Sequence, residues 1–256
     1  MTIIAVIAVF FFAVIFIEPF CVCLKKSEVK GPASLAGLKF AFVSDLHCQG
    51  KPSLSRAAKA VKRLGAQKPD ILILGGDYAD ATHFASKALE LCAAVEVPLG
   101  IYAVRGNHDY NYDLESSLSG LPIKLLDDEG VSVNYKGGVL HVAGLTDYQE
   151  GSPNGEAALK NSGKADFTVL VSHNPRAVKS AVSGNRVDLA LCGHTHGGQV
   201  TLFGLYSPLA DRPMPAFRSQ WQDVVGVPTL YSNGLGTTLL PIRFMAHPQI
   251  HIIEIV

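Results

Sequence analysis

Apolar and polar positions alternate along this chain on two scales. From residue 38 onward, short apolar runs are separated by stretches in which apolar residues recur every three to four positions, as buried strands alternating with amphipathic helices would produce. Residues 38–43 predict a strand and 54–64 a helix with Ala57, Val61 and Leu64 on one face; 71–74 predict a second strand, 86–95 a second helix and 99–104 a third strand. In the middle third, 123–126, 131–135 and 139–143 are short apolar runs divided by Asp- and Gly-rich turns, which predicts an antiparallel meander. Strands are again expected at 167–171 and 187–191, with Pro175 placed to start a helix. A strand at 199–203 and a long Pro-punctuated loop at 204–222, of the kind that covers active sites, come next. Strands at 224–227, 229–232 and 250–255 then close the sheet. The class is α/β, and no linker divides residues 38–256.

The first seventeen residues break this pattern, because they carry no charged side chain and Thr2 is their only polar one. As a helix they span roughly 25 Å, short of a hydrocarbon core of about 30 Å unless the run continues to Leu24. A basic n-region, a small-residue cleavage site and a twin-arginine pair are all lacking, which argues against a cleaved signal. The expectation is a membrane anchor over 1–24, a connector over 25–37 and a catalytic domain over 38–256. Lys25, Lys26 and Lys30 follow the run and place the catalytic part on the cytoplasmic side, the extracytoplasmic side being the alternative. Composition adds exclusions. With 22 basic and 22 acidic residues and no long run of either sign, the chain is no nucleic-acid binder. Five cysteines without framework spacing argue against a disulfide scaffold and favour a reducing compartment.

Candidate chemistry gathers where the expected strands end. Asp45 and His47 follow the first, Asp77 the second, Asn107 and His108 the third, His173 the strand at 167–171, and His194 and His196 the strand at 187–191. One such residue is usually a cap or a turn, but five clusters in register at one sheet edge build a cage of hard oxygens and imidazoles, suited to two divalent ions sharing a carboxylate. There is no G-x-S-x-G motif, and Cys48 has no partner visible from spacing.

Asp45-x-His47, Gly75-Gly76-Asp77, Gly106-Asn107-His108-Asp109, Ser172-His173 and Gly193-His194-Thr195-His196, in that order, resemble the five motifs of the calcineurin-like metallophosphoesterases. The stretch 193–200, with Asn233-Gly234-Leu235-Gly236 and Leu240-Pro241-Ile242-Arg243-Phe244, is similar to a membrane-associated bacterial branch. That branch includes YkuE- and YaeI-type phosphodiesterases and the UDP-2,3-diacylglucosamine pyrophosphatase of the Chlamydia type. The resemblance implies a four-layer αββα sandwich of mixed sheets and two divalent ions (Mn, Fe, Zn or Mg). Asp45, His47 and His196 would hold the first ion and Asn107, His173 and His194 the second, with Asp77 bridging. It also implies hydrolysis of a phosphodiester or pyrophosphate by a metal-bridged hydroxide, with His108 stabilising or protonating the leaving group and Asp109 orienting it. Arg105, Asn233 and Arg243 are candidate substrate-binding residues. The expected partners are a phosphoester, lipid-linked in view of the apolar N-terminus, and the membrane itself; the chain is expected to act as a monomer. A non-catalytic scaffold of the same fold is the alternative, and the intact ligand set speaks against it.

Overall fold

Runs such as Phe-Ala-Phe-Val and Ile-Leu-Ile-Leu leave no polar face, so their strands must be covered on both sides. The computed structural model describes residues 2–203, 207–208 and 220–256. In chain order the elements are α1 (Thr2–Ile17), β1 (Cys23–Val29), β2 (Lys39–Val43), α2 (Lys51–Gly65), β3 (Ile71–Leu74), α3 (Thr82–Ala93), β4 (Ile101–Ala103), α4 (Leu114–Leu118) and β5 (Ile123–Leu125). Then follow β6 (Glu129–Tyr135), β7 (Gly138–Gly144), α5 (Gly155–Ala158), β8 (Phe167–Ser172), α6 (Val178–Ala181), β9 (Leu189–Cys192), β10 (Trp221–Val224), β11 (Val227–Tyr231) and β12 (Gln249–Ile255).

The strands form two six-stranded mixed sheets, ordered β1-β12-β2-β3-β4-β5 and β10-β11-β9-β8-β7-β6. In the first, β2 to β5 run parallel; in the second, β7, β8, β9 and β11 do. The two-residue period of β2 sorts its side chains between two apolar layers. Phe40 and Phe42 meet Val169 and Leu191 between the sheets, whereas Ala41 and Val43 pack under Ala57 and Val61 of α2 and Leu89 of α3. A third layer, with Leu170 and Ala190 against Ala158 and Ala181, covers the outer face of the second sheet. The αββα order is therefore the one the sequence led us to expect, and the parallel strands of both sheets send their C-terminal ends to one rim.

Several elements differ from expectation. The meander does not form, since β5 pairs in parallel with β4 in the first sheet while β6 and β7 make a hairpin in the second. Backbone spacing at 126–128 carries the chain from one sheet to the other, which short apolar runs alone do not reveal. Residues 199–203 make an isolated bridge, Val200 to Phe244, rather than a strand. The closing strands at 224–227 and 229–232 are instead the hairpin β10–β11, turning at Val225-Gly226, and most of the expected 204–222 loop lies outside the described residues.

The N-terminus departs most from expectation. Helix α1 stops at Ile17 after 16 residues, about 24 Å, and no helix in the described residues is long and apolar enough to cross a membrane. Pro19 cannot donate to a continuing helix. The Glu18 carboxylate accepts the backbone N–H groups of Met245 (2.9 Å) and Ala246 (2.7 Å), which turns the chain into the body of the protein. Helix α1 therefore covers only part of the stretch 1–24 expected as an anchor. The first five residues of the expected connector over 25–37 belong to β1, which is paired along its whole length with β12.

Candidate metal centre

All seven candidate ligands lie on the common rim. Asp45 and His47 follow β2, Asp77 follows β3 and Asn107 follows β4, so the first sheet supplies two carboxylates, one imidazole and one amide. His173 follows β8, and His194 and His196 follow β9, so the second sheet supplies imidazoles alone. Asp45, His47 and His196 offer ligand atoms within 4.8 Å of one another, as do Asp45, Asp77 and His173; His108 joins His47 and Asp77 in a third such group. Asn107 Oδ1 is 3.2 Å from His173 Nε2 and 3.1 Å from His194 Nδ1.

Backbone strain marks the same rim. Asp45, His47, Asp77, His194 and His196 all have positive φ, between 41° and 66°, a region that non-glycine residues enter at a cost of about 1–3 kcal/mol each. The loops that impose it are held from beneath. Asp109 is buried and accepts the N–H groups of Asp77 (2.8 Å), Tyr78 (3.0 Å) and Gly106 (2.8 Å) and the hydroxyl of Tyr112. Gly106 is required there, because a Cβ would stand 2.1 Å from Asp77 Oδ1.

The donor set fits a cation. His173 Nδ1 donates to the Gly75 carbonyl (2.8 Å), which aims Nε2 at Asp77 Oδ2 (3.3 Å) and Asn107 Oδ1, so that a neutral ring would turn a lone pair toward these oxygens. Acceptors facing acceptors need positive charge between them. Asp45 Oδ2 and both ring nitrogens of His47 are likewise buried without a hydrogen-bond partner. The electrostatics agree. Burial disfavours the His173 cation, but the charge and hydrogen bond of Asp77, with Asp45 and Asp147, outweigh it and push the ring up to about 10. Burial disfavours the His47 cation too, yet Asp80, Asp77 and Asp45 raise that ring. Burial would raise Asp77, but His173, then His47 and His108, hold it below the ordinary carboxylate range. His194 is pushed down to about 4 by burial and by His173, and His196 falls well below the ordinary value through burial, His47 and Arg243. These two rings stay neutral, as imidazole ligands must.

Other residues singled out from sequence have different settings. Asp109, expected to orient His108, braces the backbone instead; burial and then the charge of Asp77 raise its carboxyl above the ordinary range. Arg105, expected to grip a phosphate, is engaged by Asp127 (Nε to Oδ2, 2.7 Å) and by Glu115. Arg243, expected to line the pocket, is fully buried. It donates to the carbonyls of Gly236, Asn233, Ala246 and His196, and its Nη2 lies 3.3 Å from His196 Nδ1. Asn233 donates to the His247 carbonyl (3.2 Å) and sits under Gly197, whose Cβ would meet it.

Sequence reasoning missed two carboxylates. Asp80 Oδ1 lies 3.5 Å from His47 Nδ1 and 3.7 Å from His108 Nδ1, so it faces both rings at once. Its signal was a second acidic position close behind Asp77. Asp147, at the end of β7, is fully buried; one oxygen accepts the N–H groups of Gln149 and Glu150, and the other has no partner. Its charge bears on His173 and His194, and only the strand-end position beyond 139–145 could have flagged it.

A double-sheet α/β body with a buried Asp/His rim at its strand ends defines a metal-dependent hydrolase class. Residues 38–198 match the calcineurin-like phosphoesterase family, and the chain belongs to it. It is 27% identical over 248 residues to the uncharacterized metallophosphoesterase YkuE of Bacillus subtilis, covering 92% of this chain and 86% of that one. It is 28% identical over 237 residues to the phosphodiesterase YaeI of Escherichia coli, covering 86% and 83%. Its fold is similar to that of a dimetal phosphatase from Danio rerio, with a TM-score of 0.51 and 13% identity over 78% of this chain and 88% of that one. The protein is therefore a hydrolase of phosphoester bonds, with an Asp/His cluster suited to a dimetal site.

Proposed function

We propose that the protein is a two-metal phosphodiesterase or pyrophosphatase acting, as a monomer, on a lipid-linked phosphoester at the cytoplasmic face of a membrane. The observation that carries the two-ion reading is the position of one atom. Asp77 Oδ2 lies 3.4 Å from His47 Nε2 and 3.3 Å from His173 Nε2, so a single carboxylate oxygen faces both ligand groups. Asp45, His47 and His196 would hold one ion and Asn107, His173 and His194 the other. Divalent ions of the manganese, iron, zinc or magnesium kind would there neutralise phosphoryl oxygens and supply an acidified water as nucleophile.

The chain's own groups do the rest. The other oxygen of Asp77 accepts the His108 N–H (2.9 Å), which fixes His108 beside the shared carboxylate. Asp80 faces His108 Nδ1, leaving Nε2 of this half-buried ring to carry a proton to the departing oxygen. Burial, then His47 and Arg243, keep His196 neutral, and Arg243 donates to its carbonyl from below. The lipid-linked substrate is supported by the apolar α1, and the cytoplasmic side by Lys25, Lys26 and Lys30.

Hydrolysis of bis(p-nitrophenyl) phosphate by metal-reconstituted protein, with elemental analysis alongside, tests the reading. Turnover with two metal equivalents per chain is expected. No turnover with manganese, iron or zinc would favour the non-catalytic scaffold.

A further inference from the structure

Helix α1 has no charged residue on any side, so a protein groove that covered one face would leave the others in water. It is not a free tether. The Ile15 carbonyl accepts the Arg243 N–H (3.2 Å), the Phe11 and Phe244 rings lie 5.9 Å apart, and Glu18 closes on Met245, Ala246 and His247 Nδ1 (2.9 Å). Even so, Phe12, Phe16, Ile17 and Phe20 remain exposed.

The loops sewn to this helix are apolar and exposed as well. Phe244 bonds back to Gln199 and Thr201, and the Gln199 side chain holds the carbonyls of Thr238 and Leu240. At the tips of these loops Phe203, Leu239, Leu240 and Met245 face outward, Leu239 with 84% of its surface exposed. His196 stands three residues before Gln199, so the apolar face borders the metal centre. A basic helix packs beside the residues that follow α1. Helix α2 carries Lys51, Arg56, Lys59, Lys62 and Arg63 and no acid, in a chain whose charges cancel overall. Arg56 lies over the Phe20 ring at 5.9 Å, and Arg63 donates to the Val22 carbonyl at 2.7 Å.

We propose that α1 and the apolar loop tips insert into one leaflet of an anionic bilayer without crossing it, while the exposed Lys51, Lys59 and Lys62 of α2 rest on the headgroups. The contacts of Ile15 and Phe11 with Arg243 and Phe244 hold the last two turns of α1 along the body of the protein, where a bilayer-spanning helix would have to run clear of it. Lying within a leaflet, both of its ends reach the headgroup level, and apolar insertion together with a basic surface selects anionic lipid. Docked in this way, the centre meets phosphoesters at headgroup depth. That last point rests on the proposed function; the docking itself does not.

The test is sedimentation of the full chain with phosphatidylcholine vesicles, with and without 30% phosphatidylglycerol, in parallel with turnover of the soluble diester. Binding at least about tenfold tighter to the anionic vesicles is expected, since each headgroup-facing cation is worth about 1 kcal/mol. Phe12→Ser with Leu239→Ser should weaken binding about tenfold or more, and Lys51→Gln with Lys62→Gln should erase the preference for anionic lipid, both with unchanged diester turnover. On bound protein carrying Cys21→Ser and Cys23→Ser, a Thr2→Cys thiol should react with an impermeant maleimide added outside. Equal binding to both vesicles, labelling only after detergent, or a concentration-dependent dimer in place of vesicle binding would each overturn the docking. Vesicle binding without diester turnover would leave docking intact and sink the enzymatic reading.

Discussion

The two sheets contribute unlike halves to one centre. The first brings Asp45 and Asp77 with His47 and Asn107, and its loops are braced by an acid, Asp109, accepting backbone N–H groups. The second brings His173, His194 and His196 with no carboxylate among its candidate ligands, Asp147 standing buried beside them, and its loop is braced by a base, Arg243, donating to backbone carbonyls. Neither half alone fits a cation well: carboxylates close together repel, and imidazoles alone lack the charge. Charge crosses the seam at Asp77, whose oxygen touches a ring from each half.

Asp77→Asn strikes that seam and should have the largest effect, removing at least one metal equivalent and more activity than the ~10–100-fold that loss of a supporting partner costs. Elemental analysis with diester kinetics checks it, and wild-type turnover would refute the shared role. Arg243→Leu should come next. It strands four carbonyls under the imidazole half and should cost about 3 kcal/mol or more in urea unfolding, with weakened metal retention. Asp80→Asn should keep the metal while slowing turnover about 10–100-fold, most for poor leaving groups. Equal losses across leaving groups would confine Asp80 to positioning His47. Asp109→Asn retains the shape of the carboxylate and should cost about 1–3 kcal/mol, which makes the acidic brace the weaker of the two; a larger loss than for Arg243→Leu would reverse that order.

The smallest effect lies outside the rim. His251 is fully buried in β12, its Nε2 3.1 Å from Ser232 Oγ; burial and then the charge of Lys25 push it down to about 3. Because its folded value is depressed below the ordinary 6.5, the fold favours the neutral ring. Stability from this group is complete above about 6.5 and declines as pH falls from there toward about 3. His251→Gln should flatten that part of the stability–pH curve without changing diester turnover at neutral pH.

What the sequence disclosed follows from what repeats locally. Period-two and apolar runs reveal strands, and the short polar groups closing Val43, Leu74, Ala103, Ser172 and Cys192 reveal the candidate ligands, since each cluster sits within a few residues of its strand. Relations across the sheets stayed hidden. Nothing near Arg243 announces that it lies under His196, nothing near Asp109 announces that it holds the 77–78 backbone, and the crossing between β5 and β6 has no periodic signature. The setting of Arg105 stayed hidden for the same reason, because its partners Asp127 and Glu115 lie beyond local view.

The pairing of β1 with β12 has a practical corollary. Shortening the protein to improve its behaviour in solution should stop at Ile17. A cut after Lys30 would strip the outermost ribbon from the first sheet, uncover the length of β12 and discard the Glu18 clasp, leaving a raw hydrogen-bonding edge that invites self-association.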